Sequence, residues 1–198
     1  MPQFLSRPAL IATAAFALAA CGGGKEEARP LLGELAPAGG ADAAGTLINA
    51  AGETVGHVVF TNGTGGVLMR VDIKGLSQGW HGIHLHQKGD CSDGPEGFKA
   101  SGGHIDPDEH EHGLLNANGS ERADLPNIYA GPDGRATAEI FRWGVSLYPT
   151  EAGAAENGPY PLLDDDGFAV IVHENPDDQT TQPIGGAAGR VACAALNG

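Results

Sequence analysis

Apolar and polar residues alternate, or β-branched residues crowd together, in seven short runs: 46–50 (TLINA), 54–61 (TVGHVVFT), 66–76 (GVLMRVDIKGL), 82–86 (GIHLH), 135–141 (RATAEIF), 168–174 (FAVIVHE) and 190–196 (RVACAAL). A period of two puts successive side chains on opposite faces, so each run predicts a strand with one face towards a core. Asn62-Gly63, Asp133-Gly134 and Asp166-Gly167 predict turns between them. No long window carries a helical period, and the pattern therefore predicts an all-β antiparallel sandwich or barrel. Residues 87–134 and 174–189 are too polar and too rich in Gly and Pro for strands. Loops of that length in a compact domain are usually functional.

The N-terminus changes this picture by adding a leader. Residues 1–20 carry Arg7 and a short apolar run from Ala9 to Ala20, which reads as a signal peptide too short and too alanine-rich to span a bilayer. "LAAC", 18–21, looks like a bacterial lipobox, making Cys21 the lipidated first residue of the mature chain; the alternative is an ordinary cleaved leader followed by a chance cysteine. Gly22, with no aspartate beside the cysteine, leans towards the outer membrane in a cell that has one. Residues 21–44 mix Gly, Ala, Pro and charge without period and read as a tether, so the expected address is extracytoplasmic (the periplasm in such a cell), membrane-anchored through lipid. Residues 45–198 remain for a single folded domain.

Charge and cysteines narrow the chemistry. The formal charge of −14 becomes −15 once Arg7 leaves with the leader, which disfavours nucleic acid and acidic membrane surfaces as partners. Cys21 aside, Cys91 and Cys193 remain, and outside the cytoplasm they are expected to form a disulfide rather than two free buried thiols.

The candidate chemistry is carried by histidine. Seven of the eight histidines lie between 81 and 173. His84 and His86 project from the same face of a predicted strand, the arrangement for two imidazoles sharing one metal ion, although an isolated pair is as readily a hydrogen-bonded one. "GGHIDPDEHEHG" then supplies His104, His110 and His112, "SERADLPN" supplies Glu121 and Asp124, and "VIVHENPDD" supplies His173 and Asp177. Imidazoles with carboxylates and few thiolates suit copper or zinc.

The order "HGIHLH", "GGHIDP", "HG", "ADLPN", "VIVHENPDD" and "GRVAC" resembles copper/zinc superoxide dismutase of the bacterial extracytoplasmic type, across residues 45–198. The resemblance implies a Greek-key β-barrel or sandwich, immunoglobulin-like, of about eight strands with two long functional loops. It implies that copper binds His84, His86, His104 and His173, that His104 bridges to zinc, and that His112 and Asp124 are zinc ligands. Asp177 then hydrogen-bonds one histidine of each metal, and Arg190 draws the superoxide anion to the copper. Cys91 and Cys193 match the family disulfide. His81 falls on a position that supports backbone, while His57 is expected at the surface. The chain is expected as a monomer or homodimer.

One position departs from the family pattern: Glu121 stands where a third zinc histidine belongs, nine residues after His112 and three before Asp124. Three outcomes stay open: Glu121 binds zinc itself, His110 swings in, or zinc is weak or absent and Glu121 accepts a hydrogen bond from His104, as in copper-only relatives. The implied reaction is superoxide dismutation, with His104 carrying a proton. The rival is a surface lipoprotein that buffers copper or zinc on the same scaffold, which would have no use for Arg190.

Overall fold

In the strands β2 (Thr54–Gly63) and β3 (Gly66–Ile73), Val58, Phe60, Val67, Met69, Val71 and Ile73 are buried at alternate positions, which is the period-two pattern expressed as a core face. The structure, a computed structural model, describes residues 41–150 and 158–198. The expected signal peptide, Cys21 and most of the expected tether lie outside the described residues.

β1 (Ala43–Asn49), β2, β3, β5 (Ile83–His86), β7 (Ala136–Trp143), β10 (Phe168–His173) and β11 (Arg190–Leu196) form one antiparallel sheet in the order β5-β10-β11-β1-β2-β3-β7. The sheet curls into a half-barrel around the core. Its connections from β3 to β5 and from β7 to β10 cross the sheet as the long returns of a Greek key. A short pair, β4 (Gly79–His81) with β6 (Ile128–Ala130), lies between the edges: β4 runs through Gly82 into β5, and β6 packs beside β7. β8 (Val145–Ser146) and β9 (Tyr160–Pro161) add a parallel bridge.

All seven expected strands are present, with three differences in detail. The turn expected at Asn62-Gly63 falls at Thr64-Gly65, because Gly63 pairs with Gly66 and Asn62 is held in the strand by Asp42 Oδ2 and Leu147 N–H. Gly65 supplies the positive φ of 77° that this two-residue turn requires. β1 starts at Ala43, two residues ahead of the expected domain start at Gly45. β4 and β6 were hidden by their three-residue lengths, β6 inside the expected 87–134 loop. That loop also holds two 3-10 turns, Gly94–Glu96 and Lys99–Ser101.

β10 is buried at all six positions and therefore lacks alternation. Phe168, Val170 and Val172 face the main core, whereas Ala169 and Ile171 pack with Cys193 and Phe98 in a second cluster. Phe98 belongs to the long loop, and the Cys91–Cys193 disulfide, with Cα atoms 5.8 Å apart, pins that loop over the outer face of β10 and β11. For a sequence separation of 102, the chain-entropy model puts the disulfide's contribution at about 4 to 5 kcal/mol. The loop it holds down supplies half of the site described next.

Candidate metal centre

The two histidines of β5 point away from the barrel core. Ile83 and Leu85 fill that core, so His84 and His86 project outwards, opposite Ile171 and Ala169 of β10. His173, ending β10 after an irregularity in the ladder, joins them. Two loop segments extend the alternation beyond the edge of the sheet. Ile105 N–H donates to Leu85 O, Leu85 N–H to Ala123 O, and Ala123 N–H to Ile105 O. Ile105 and Ala123 thereby enter the core while their neighbours His104 and Asp124 face out, bridged to His86 and His84 respectively.

Each ring of this group has one nitrogen held and one left over. His84 Nε2–H donates to Asp177 Oδ2 at 2.8 Å, His86 Nδ1–H to Gly102 O at 3.0 Å, His173 Nδ1–H to Ala188 O at 3.2 Å and His104 Nδ1–H to Glu121 Oε2 at 2.5 Å. A neutral imidazole has a single N–H, so the opposite nitrogens carry lone pairs: His84 Nδ1 and the Nε2 atoms of His86, His104 and His173. All four are buried without a hydrogen-bond partner. Buried polar atoms normally find a partner, and four orphaned lone pairs on neighbouring rings fit a shared metal ion. His84, His104 and His173 offer ligand atoms within 4.8 Å of one another. His86 stands slightly outside that group, its ring centroid 5.1 Å from that of His104.

A second cluster abuts the first through His104. His104, His112, Glu121 and Asp124 also bring ligand atoms within 4.8 Å. Asp124 Oδ2 is committed to the backbone N–H groups of Gly113 and Glu121, which leaves Oδ1 for a ligand. That Oδ1 lies 2.6 Å from His112 Nδ1 yet has no hydrogen bond, as expected of two donor atoms aimed at one point rather than at each other. Glu121 Oε2 lies 3.3 Å from His112 Nδ1. A set of two imidazoles and two carboxylates suits zinc. His110 does not complete it: the ring is exposed and hydrogen-bonded to Ser120 O.

Asp177 joins the clusters. Its Oδ2 holds His84, and its Oδ1 lies 3.2 Å from His112 Nε2. The side-chain amide of Asn127 clamps its backbone, donating to Asp177 O and accepting from Asp177 N–H. A Cβ at Gly185 would run into Asp177 Oδ1, and the φ of 59° there also favours glycine.

The electrostatics separate the two clusters. Burial, reinforced by the neighbouring His104 and Arg190, holds the His86 ring well below its usual range. Burial and then His84 bring His173 down to about 3, and burial lowers His84 despite Asp177. These rings stay neutral and ready to coordinate. Burial opposes the charge on His112 as well, but the adjoining carboxylates of Asp124, Asp177 and Glu121 outweigh it and raise that ring to about 11. Burial would raise Glu121, yet His104 and His112 hold it down at about 2.

Residues 54–196 match the family model for copper/zinc superoxide dismutase. The chain belongs to the copper/zinc superoxide dismutase family. It is 48% identical to a Cu-Zn superoxide dismutase of Caulobacter vibrioides over 146 residues, 73% of this chain and 79% of that protein. A second Cu-Zn superoxide dismutase, from Aquifex aeolicus, is 33% identical over 76% of this chain and 83% of its own length. Among solved structures, an SOD-like protein from Bacillus subtilis superposes with a TM-score of 0.69 at 31% identity, covering 77% of this chain and 97% of that one. The Cu/Zn superoxide dismutase from Brucella abortus gives a TM-score of 0.58 at 25% identity, over 77% and 97%. Copper and zinc are the metals of this family, and the two clusters supply donor sets that suit them.

Arg190 opens β11 opposite His173. It donates to Phe98 O and Ser101 Oγ from Nη1 and to Gly102 O from Nη2, so three of the five guanidinium N–H groups are engaged. Gly102 O is also the acceptor of His86. Of the remaining histidines, His81 contacts backbone carbonyls of His173 and Ser77, as expected. His57 is half-buried with Nδ1 enclosed and unpaired, not the surface histidine expected, because the sheet continues past it on both sides. Lys88 faces Asp166 at 3.8 Å. The functional contacts missed in the sequence are Asn127 and the Gly102 carbonyl. Asn127 stands in "ADLPN" with nothing local to mark its role, and a backbone carbonyl leaves no signature at all.

Proposed function

We propose that the chain dismutates superoxide to oxygen and hydrogen peroxide at copper held by His84, His86, His104 and His173, beside zinc held by His104, His112, Glu121 and Asp124. The observation that carries the reading is the set of four buried, unpartnered ring nitrogens on outward-facing histidines. Bound there, copper would supply the one-electron couple that the reaction needs.

The chain's own groups do the rest. Asp177, Gly102 and Ala188 fix three rings with their lone pairs on the copper side. His104 is the ring whose two nitrogens serve both clusters, and its Nε2, when not engaged by copper, would hold a proton for the peroxide product. Glu121 sets how firmly that ring is held from the other side. Arg190, fixed by three hydrogen bonds, keeps two N–H groups for the incoming anion. Its local charge acts against a net charge of −14, since distant carboxylates are screened over about 8 Å at physiological salt.

Lipid attachment at Cys21 and an extracytoplasmic address are part of this proposal, and the Cys91–Cys193 disulfide supports the address. Metal analysis and superoxide consumption on the same purified full chain test it. One copper and one zinc per chain with rapid consumption is the expected result. Bound metal without consumption would leave a metal buffer.

A further inference from the structure

Beside the backbone of residues 119–122 opens a pocket of about 270 Å³, lined by Asp108, His110, Ser120, Arg122, Arg142 and Trp143 among others. Two guanidinium groups meet there in a protein whose formal charge is −14. Arg142 donates from Nε to Arg122 O and from Nη2 to Glu121 O and Ser120 Oγ. Arg122 donates from Nε to Asp108 and from Nη1 to Gly144 O. Arg142 Nη1 and Arg122 Nη2 have no protein partner among the described residues, so each side chain keeps a whole terminal amino group unspent.

The charge there is also unbalanced. Among the described residues, Asp108 is the one carboxylate hydrogen-bonded to the pair. Asp124 attracts Arg142 from a distance, but Oδ2 of that carboxylate is bonded to backbone and Oδ1 faces His112. The guanidinium groups repel each other, and burial adds to the cost of the charge on Arg142. An anion between them would relieve both effects. Donors arriving from two separate guanidinium planes suit a tetrahedral oxyanion better than a planar carboxylate, which one fork can hold alone. Trp143, 64% exposed, adds a flat apolar wall on which an organic substituent can lie.

We propose that this pocket is a binding site for phosphate, free or as the monoester of a small organic molecule, held by Arg122 and Arg142 and separate from the path of superoxide past Arg190. The test is calorimetric titration of the metal-loaded full chain with inorganic phosphate and with phenyl phosphate, at ionic strength matched with sodium chloride, for the wild type and Arg122→Gln. Saturable binding to the wild type, weakened about tenfold or more in the variant while copper content and superoxide consumption are unchanged, is expected from the loss of a charge-assisted hydrogen bond. Tighter binding of phenyl phosphate would identify a monoester as the ligand class, and equal binding free phosphate. Equal affinity in wild type and variant, or heats reproduced by chloride alone, would overturn the site. Should Arg122→Gln fail to fold, the Trp143 indole N–H resonance, assigned through Trp143→Phe, gives a second reading on the wild type. It should move on phosphate addition, and a stationary signal would overturn the proposal.

Discussion

His84 and His112, which belong to different ligand clusters, are held by the two oxygens of one carboxylate, Asp177, at 2.8 and 3.2 Å. The orientation of one ring is therefore tied to that of the other. Asn127 and the N–H of Gln179 keep the carboxylate in place.

Asp177→Asn leaves a single acceptor oxygen for two N–H donors. Metal retention by the cluster containing His112 should weaken about ten- to a hundredfold, the usual cost of removing a group that orients a ligand. Competition with a chelator, monitored separately for zinc and copper, measures it. Unchanged retention of both would remove the bridging role.

Glu121→Gln keeps size but removes the negative charge between His104 and His112. Zinc content should fall and copper content hold, because the copper-side nitrogens of His84, His86 and His173 are fixed by other acceptors. Elemental analysis decides it; loss of copper together with zinc would show that Glu121 acts chiefly by holding His104.

The metal-free protein should be most stable near pH 6.5. His112, raised to about 11 when folded, contributes stability that is complete below its unfolded value of 6.5 and is lost as pH climbs towards 11. His86 and His173 are lowered, the latter to about 3, so below pH 6.5 the unfolded chain binds protons that the folded rings refuse. Glu121, held at about 2, loses its contribution as pH falls from 4.5 towards that value. Melting temperature against pH in chelator-treated protein should show this maximum. Zinc should flatten the alkaline limb by taking the place of the His112 proton, and a monotonic profile would contradict the scheme.

Arg190→Ala should slow superoxide consumption markedly at physiological salt while copper stays bound. Arg190 also anchors residues 98–102 and shares the Gly102 carbonyl with His86. Arg190→Lys retains the charge and loses the fork, and is expected between the two. Rates equal to wild type in the alanine variant would sink the anion-guiding role.

The sequence by itself determined the strands long enough to show period two, the order of the ligand types along the chain and the cysteine pair that closes the long loop. These are properties of neighbouring residues or of composition, and β-strand alternation alone places His84 and His86 on one face. Tertiary structure decided which face that was: Ile83 and Leu85 take the core, so the centre lies outside the barrel under two loops. It also decided that Glu121 joins His104 and His112 while His110 stays at the surface bonded to Ser120 O. The contacts of the carboxylate that joins the clusters link residues far apart in the chain, 93 positions between His84 and Asp177 and 50 between Asn127 and Asp177. Hydrogen bonds across such distances depend on how the loops pack over β5, β10 and β11, and no local pattern of residues encodes that packing.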